Sequence, residues 1–358
     1  MRAVLVTERA GDEPGGVETF TRALKAALPG LKVVDFASPP TTIMHRLCAT
    51  RLGRVSGELL QGLELRRRLL AELRREAADV VLVNGSFAWC IHGRRLGIPV
   101  AVVFHGNWAG FGRYAIEPRQ WHRRWRYIRY LGTLQRMAGK GNACIAVSAA
   151  VQRQLLNYYG LHSTVIPNGV NTALFSPGDQ HSARREVGEQ DAGRIFVFVG
   201  RPTREKGYDV VRAVALLRPQ WRFLAVLDRP SADPPPNVRE LVAVPHGDLA
   251  RLYRAADALL FPSRFEGCSY VPLEAMACDT PVVVSRVGLF EDDNAAGAVV
   301  DGWDPQAYAD ALEQVACDAP RLRPRSHVVG RYDLETFVEA YRRFCNGLLD
   351  GWAAGDSG

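Results

Sequence analysis

The cysteines of this chain show no framework. No two are spaced as CxxC, and none joins histidine at zinc spacing. The seven thiols, Cys48, Cys90, Cys144, Cys268, Cys278, Cys317 and Cys345, are scattered and odd in number. That argues against a disulfide scaffold or a zinc site and predicts reduced, mostly buried thiols. Long apolar runs are also missing. The longest, near Ile98 to Phe104, is far too short to span a bilayer. The opening MRAVLVTERAG lacks the extended apolar region and small-residue cleavage site of a secretory signal. A cytoplasmic protein is expected. No repeat or low-complexity tract is present. What remains is 358 residues, 47% hydrophobic and 23% charged, too long for one core and composed like two soluble globular domains. The formal charge of +7 and a pI near 9.2 permit attraction to nucleotide phosphate, anionic lipid or nucleic acid without choosing among them.

Apolar runs alternate with helical patterns along the chain. Strands are expected at Met1–Thr7, Lys32–Phe36, Asp79–Asn84, Pro99–Phe104 and Ala143–Ser148, with a short one at Thr164. Each longer run is apolar on both faces, which predicts an α/β fold with doubly wound parallel sheets. Between the first two, Gly11 to Gly16 (GDEPGG) enters a helix from about Val17. Gly15 and Gly16 would let backbone approach a ligand or simply make a tight turn. Ser38 to Thr42 is read as loop and Arg51 to Glu76 as a basic helix. His105, at a strand's C-terminal end, is placed to meet a ligand and is equally compatible with a structural role. Gln120 to Met137 interleaves arginines with Trp121, Trp125, Tyr127 and Tyr130. That pattern suits an anionic membrane surface, a nucleic acid, or a solvated helix whose rings pack on the core.

Composition turns polar from Asn171 to about Gly193, which reads as a linker between domains at 1–175 and 176–332. The alternation then restarts. Strands are expected at Arg194–Val199, Trp221–Leu227, Val242–Val244 and Ala258–Phe261. Helices are expected at Tyr208–Leu217, at Asp248–Ala256 and, amphipathic, at Leu334–Leu349, with a frayed tail from Gly351.

Phe261 to Val284 (FPSRFEGCSYVPLEAMACDTPVVV) reads as strand, loop, helix, turn and strand. Its polar residues gather where open α/β sheets bind ligands. Ser269 is a candidate N-cap, Pro272 falls in the helix's first turn, and the N–H groups there would favour an anion such as phosphate. Arg201 and Lys206, on the loop after another strand, suit a diphosphate. Glu274 could hold vicinal hydroxyls such as those of a ribose. If the two halves face each other, Gly15 and Gly16 close on the same phosphates, and the group carried by the nucleotide meets Glu266 and His105.

The E-x7-E spacing of Glu266 and Glu274, in FEGCSYVPLEAMACDTPVV, resembles the motif of the retaining glycosyltransferases of family 4. The likeness extends to GGVETF, VSAAVQRQL, VIPNGVNTALFSP and FVGRPTREKG, and so covers nearly the whole chain. It implies a GT-B fold, two Rossmann-like domains facing a cleft, with the last helix, 333–358, crossing back to the first domain. It further implies that Arg201 and Lys206 bind the diphosphate of a nucleotide-sugar donor, with a UDP-sugar expected. Glu274 would hold the ribose and Glu266 the sugar. Backbone around Gly267, Cys268, Ser269, Tyr270 and Val271 would touch sugar or phosphate, Val244 to His246 would flank the base, Gly16 would approach the phosphates, and His105 would bond the sugar. No metal and no other cofactor is implied, and no Asp-x-Asp pair is present to bind one. The acceptor would be a glycan, a lipid-linked sugar or a small molecule.

Asp279 stands where the family has glycine, and Gly288-Leu289-Phe290 replaces a Gly-Gly pair near the donor sugar. The first change reads as structural; the second leaves the sugar open. A same-fold epimerase or phosphorylase and a silent sugar-nucleotide sensor are the rival readings. A nucleic-acid binder, motivated by basicity, is disfavoured.

Overall fold

The computed structural model describes residues 1–8, 15–36, 53–292 and 297–355. Most of the Gly11–Gly16 loop, Ser38–Thr42 and Cys48 therefore lie outside the described residues. The chain forms two compact units, Met1–Pro167 with Phe337–Gly358, and Asn168–Thr336.

The first unit holds β1 (Ala3–Thr7), β2 (Lys32–Asp35), β3 (Val80–Asn84), β4 (Val100–Phe104), β5 (Ala143–Ala146) and β6 (Thr164–Val165). Among the described residues these make a six-stranded sheet, ordered β2-β1-β3-β4-β5-β6 and parallel throughout. Every residue of β1, β3 and β4 is buried, as expected of strands covered on both faces. The order reverses between β1 and β3, so the loops after those strands diverge and leave a crevice. The closing helix, Leu334–Gly355, places Phe337, Tyr341 and Cys345 at intervals of four, all buried. Phe20 meets Phe337 and Tyr341 edge-on at 5.9 Å each, and Arg342 donates 2.7 Å to the Ala27 carbonyl. The helix outruns its expected end at Leu349. Trp352 is the reason, since its ring lies 3.3 Å from where a Gly93 side chain would begin.

The second unit holds β7 (Ile195–Val199), β8 (Arg222–Leu227), β9 (Val238–Val242), β10 (Ala258–Phe261), β11 (Val282–Ser285) and β12 (Gly297–Val300). They form a second parallel sheet, ordered β12-β11-β10-β7-β8-β9. Phe196, Trp221 and Phe223 pack tilted with centroids 4.8 to 6.5 Å apart in its core. The strand expected at Val242–Val244 lies earlier. Ala243 adopts φ 57°, which ends the ladder and leaves Val244 in a loop. The polar stretch from Asn171 is no free linker. It contains the helix Gln180–Glu186, whose Arg184 donates 3.1 Å to the Ala255 carbonyl and pairs with Asp257 at 2.9 Å. Residues 168–175 likewise belong to this unit, and Phe175 is buried within it. Sequence patterning gave no sign of β12 or of the helix Pro305–Asp318, which Asp304 caps.

Among the described residues six cysteines are free thiols, of which Cys144, Cys268, Cys278 and Cys345 are buried, Cys90 is half-buried and Cys317 is exposed. Among the described residues no helix is long and apolar enough to cross a membrane.

Candidate active site

The second sheet reverses its order between β7 and β10, and the loops after these strands carry the charged residues singled out above. Lys206 ends a 3-10 turn, Arg204–Lys206, and its Nζ donates 2.6 Å to Glu266 Oε1. Ser263 Oγ donates to the same oxygen at 2.7 Å. Arg201, half-exposed, pairs with Glu205 one turn on. The two loops touch without slack. Gly207 has φ 74°, and a side chain there would begin 2.0 Å from the Pro262 carbonyl oxygen. Only glycine satisfies both constraints.

Ser269 occupies the N-cap of the helix Tyr270–Ala277 with extended backbone, φ −74° and ψ 138°, but its hydroxyl makes no capping bond. The expected side-chain cap is thus not formed, and that hydroxyl takes none of the helix's first N–H groups. Val271 follows half-buried, with Pro272 third in the helix. Cys268 is held by its backbone, its carbonyl accepting from Asn168 Nδ2 at 2.6 Å. Burial pushes its thiol up to about 12, so sulfur here is neutral and a poor nucleophile. Gly288, at φ 59°, sits against the Glu266 and Gly267 carbonyls, where a side chain would begin 2.7 and 2.6 Å away.

Glu274 is a buried acidic side chain, 2% exposed, with both oxygens engaged inside the protein. His246 Nε2 lies 2.7 Å from Oε1, and the Tyr253 hydroxyl donates 3.2 Å to Oε2. Burial, and then the Glu274 charge, raise the Tyr253 hydroxyl well above its ordinary pKa, which keeps it a donor. Phe175 meets the His246 ring at 5.2 Å. In this arrangement Glu274 orients His246, and His246 is the member of the pair nearer solvent.

Gly15, Gly16 and His105 belong to the first unit. Gly15 is the extended N-cap of the helix Gly16–Ala27, and among the described residues a side chain at Gly16 would meet nothing within 4 Å. His105 follows β4, with Phe20 edge-on at 4.6 Å and its Nε2 buried without a hydrogen-bond partner among the described residues. Burial lowers its pKa to about 4, so the ring is neutral near pH 7. The loop it begins is pinned by groups that sequence reasoning missed. Gln135 donates 3.0 Å to the Gly106 carbonyl and accepts from Trp108 N at 2.8 Å and from the Tyr159 hydroxyl at 3.0 Å. Asn107 caps the next helix by accepting from Gly110 N at 2.6 Å. A buried Gln in a helix rich in Trp and Arg carries no signal of this role.

The Gln120–Met137 stretch divides. Tyr127 packs inward on Trp108 and Phe111 at 5.4 and 5.0 Å, whereas Trp121 and Trp125 are 72% and 61% exposed. Asp279 takes the glycine-like φ of 64°, and its carboxylate accepts from Arg325 N at 3.1 Å. Aspartate tolerates that conformation, so the departure is structural. Among the described residues no three His, Cys, Asp or Glu side chains gather as metal ligands would.

The profile of Glycosyltransferase Family 4 matches residues 14–174, and that of Glycosyl transferases group 1 matches residues 193–318. A D-inositol 3-phosphate glycosyltransferase from Actinosynnema mirum is 33% identical over 360 residues, covering 86% of this chain and 80% of its own length. Others of that description align over 57%, 76% and 82% of their own length. Among solved structures, sucrose-phosphate synthase from Thermosynechococcus elongatus superposes with a TM-score of 0.79 at 20% identity, covering 98% of this chain and all of that one. HepE from Anabaena, in complex with UDP-glucose, superposes at 0.73 and 16% identity, covering 96% of this chain and 99% of its own. The two structures share the fold, and the near full-length relative carries the family: the chain belongs to glycosyltransferase family 4, with the GT-B fold of two Rossmann-like domains, and is a glycosyltransferase.

Proposed function

We propose that this enzyme moves a sugar from a UDP-sugar to a hydroxyl of its acceptor, with retention of anomeric configuration and without a metal or other cofactor. The observation that carries the reading is the Lys206–Glu266 pair at the crossing point of the second sheet, with Arg201 on the same loop. In this reading Arg201 and Lys206 take the charge of the diphosphate and stabilise it as it leaves. The start of the Tyr270–Ala277 helix adds backbone donors. Glu266 contacts the sugar, His105 bonds it as a neutral imidazole, and His246, held by Glu274, faces the nucleoside. Glu274 reaches the ribose only by sharing an oxygen with His246 or releasing it. Neither Cys268 nor a free carboxylate stands out as a nucleophile, which favours attack by the acceptor hydroxyl on the face the diphosphate leaves. The protein's share is then orientation and electrostatics.

The UDP-glucose bound by HepE supports the donor. The substrate in the relatives' name, D-inositol 3-phosphate, adds a phosphorylated polyol to the glycans, lipid-linked sugars and small molecules expected as acceptors. Exposed Trp121 and Trp125 among arginines favour attachment to an acidic membrane face, to be checked by sedimentation with vesicles. The central experiment is titration with UDP. Lys206→Ala and Glu274→Ala are each expected to weaken binding, by about tenfold or more for the lost charge-assisted contact of Lys206. Unchanged affinity in both variants would remove the site assignment. A screen of nucleotide sugars by thermal shift then identifies the donor. Product NMR showing an inverted anomeric centre, or activity lost to EDTA and restored by a divalent ion, would overturn the corresponding part of the mechanism.

A further inference from the structure

Arg264 lies two residues before Glu266 and is 6% exposed, an unusual place for a guanidinium unless it is paired. Among the described residues its Nε has no partner, and the two Nη groups carry the pairing. Its Nη1 and Nη2 donate to Asp209 Oδ1 and Oδ2 at 2.8 Å each, the two-pronged geometry for which arginine is suited. Nη1 also donates to the carbonyl of Arg204, and the backbone N–H of Arg264 donates 2.8 Å to the carbonyl of Glu205. The guanidinium carbon stands 5.3 Å from the centre of the Trp303 ring. Asp209 is in the first turn of the helix that follows Gly207. One side chain and its own N–H therefore grip the turn on both sides of Lys206, at residues 204, 205 and 209. Two residues further on, Glu266 takes the Lys206 ammonium itself.

We propose that Arg264 is a positioning residue for the transfer: by holding Asp209 and the carbonyls of Arg204 and Glu205, it fixes where the Lys206 ammonium stands relative to Glu266. Diphosphate held by Lys206 then depends on Arg264 without touching it. A small displacement of a charged group at such a site is costly because orientation is part of what the site supplies. Lysine cannot replace this arginine. It keeps the charge but has neither the planar fork nor enough fixed donors for Asp209 and a carbonyl at once.

The inference rests on Lys206 binding the donor's diphosphate, and a double-mutant cycle read by UDP titration separates the two. Arg264→Lys is expected to weaken UDP by about tenfold, comparable to losing one charge-assisted contact. In a Lys206→Ala background the same change should add nothing, because its effect passes through Lys206. Should Arg264→Lys fail to fold, Asp209→Asn enters the cycle instead, since it breaks the fork and leaves the arginine in place. Three results overturn the inference. The first is UDP affinity within twofold of wild type. The second is a loss that persists in full without Lys206. The third is a lowered melting temperature with affinity unchanged at a temperature where the variant is folded, the signature of a purely structural role. If Lys206→Ala itself leaves UDP affinity unchanged, the donor-site reading fails, and this inference with it. If Lys206→Ala weakens UDP and Arg264→Lys does not, the inference fails alone.

Discussion

The two sheets reverse their order at comparable places yet manage the loops there in opposite ways. Counted from its own first strand, the second sheet runs 3-2-1-4-5-6, whereas the described strands of the first run 2-1-3-4-5-6. After β7 and β10 the loops are cross-tied by Lys206–Glu266, by Arg264–Asp209 and by the contact of Gly207 with Pro262. In the first unit, among the described residues, Gly16 has nothing within 4 Å of where a side chain would begin and His105 keeps an unpaired nitrogen, while Gln135 holds the loop through its backbone carbonyl. The contrast separates two designs. A site for a diphosphate profits from charges fixed in advance, because reorganising them during reaction costs free energy. In the function proposed above, a group that bonds a sugar hydroxyl is best neutral with spare hydrogen-bonding capacity, and burial keeps the His105 ring neutral near pH 7.

The comparison breaks most visibly at glycine. Gly207→Ala would place a methyl 2.0 Å from a backbone carbonyl at positive φ, and backbone cannot step aside cheaply. A loss on the order of 3 kcal/mol or more is expected in urea denaturation, with backbone strain and overpacking both contributing. The matching change in the first unit, Gly16→Ala, meets nothing within 4 Å among the described residues and should stay within about 0.5 kcal/mol of wild type. Equal effects at the two positions would show that the loops do not differ as described.

A smaller effect follows from His105. Its pKa falls from 6.5 to about 4 on folding, so between those values the unfolded chain binds more protons than the folded one. Stability should therefore fall as pH is lowered through that window and be unaffected above it. The contribution is on the order of 1 to 2 kcal/mol between pH 7 and 5. Denaturation of His105→Gln at the two pH values checks this, since the variant should lose that part of the slope. An unchanged slope would place the ring in water.

What could be read in advance follows the same division. The strands β1, β3, β4, β7 and β10 are continuous apolar runs because both faces are covered, and such runs announce themselves. The polar stretch after Asn171 misled because its anchors, Arg184 and Phe175, are single residues in a hydrophilic setting. The end of β9 depended on the backbone of Ala243, which composition does not encode. At the site, residue types at strand ends pointed to Lys206, Glu266 and His105. The Arg264–Asp209 tie joins residues 55 positions apart, and Gln135 reaches 29 positions back to Gly106. Such pairs arise from how loops are stacked by the sheet, and no local pattern carries them.

The smallest stability effect is expected in the first unit, on the surface of the Trp121–Gly139 helical stretch. Trp121 and Trp125 are one turn apart and largely in water, beside Arg123, Arg124 and Arg129. Largely exposed rings contribute little to folding, and among the described residues the one ring contact of Trp121 is with its exposed neighbour His122 at 6.0 Å. Trp121→Ser with Trp125→Ser should therefore shift stability by no more than about 0.5 kcal/mol. Tyr127→Ser, by contrast, removes a ring wedged between Trp108 and Phe111 and should cost about 2 kcal/mol or more. If the outward face serves an acidic bilayer, the double tryptophan variant should lose adsorption to vesicles rich in anionic lipid, while the Tyr127 variant, where still folded, should keep it. Rising salt should weaken wild-type adsorption, because arginine attraction to the surface is screened while ring insertion is not. Equal partition of the wild type to neutral vesicles, or none to anionic ones, would make the two tryptophans an ordinary part of the solvated surface.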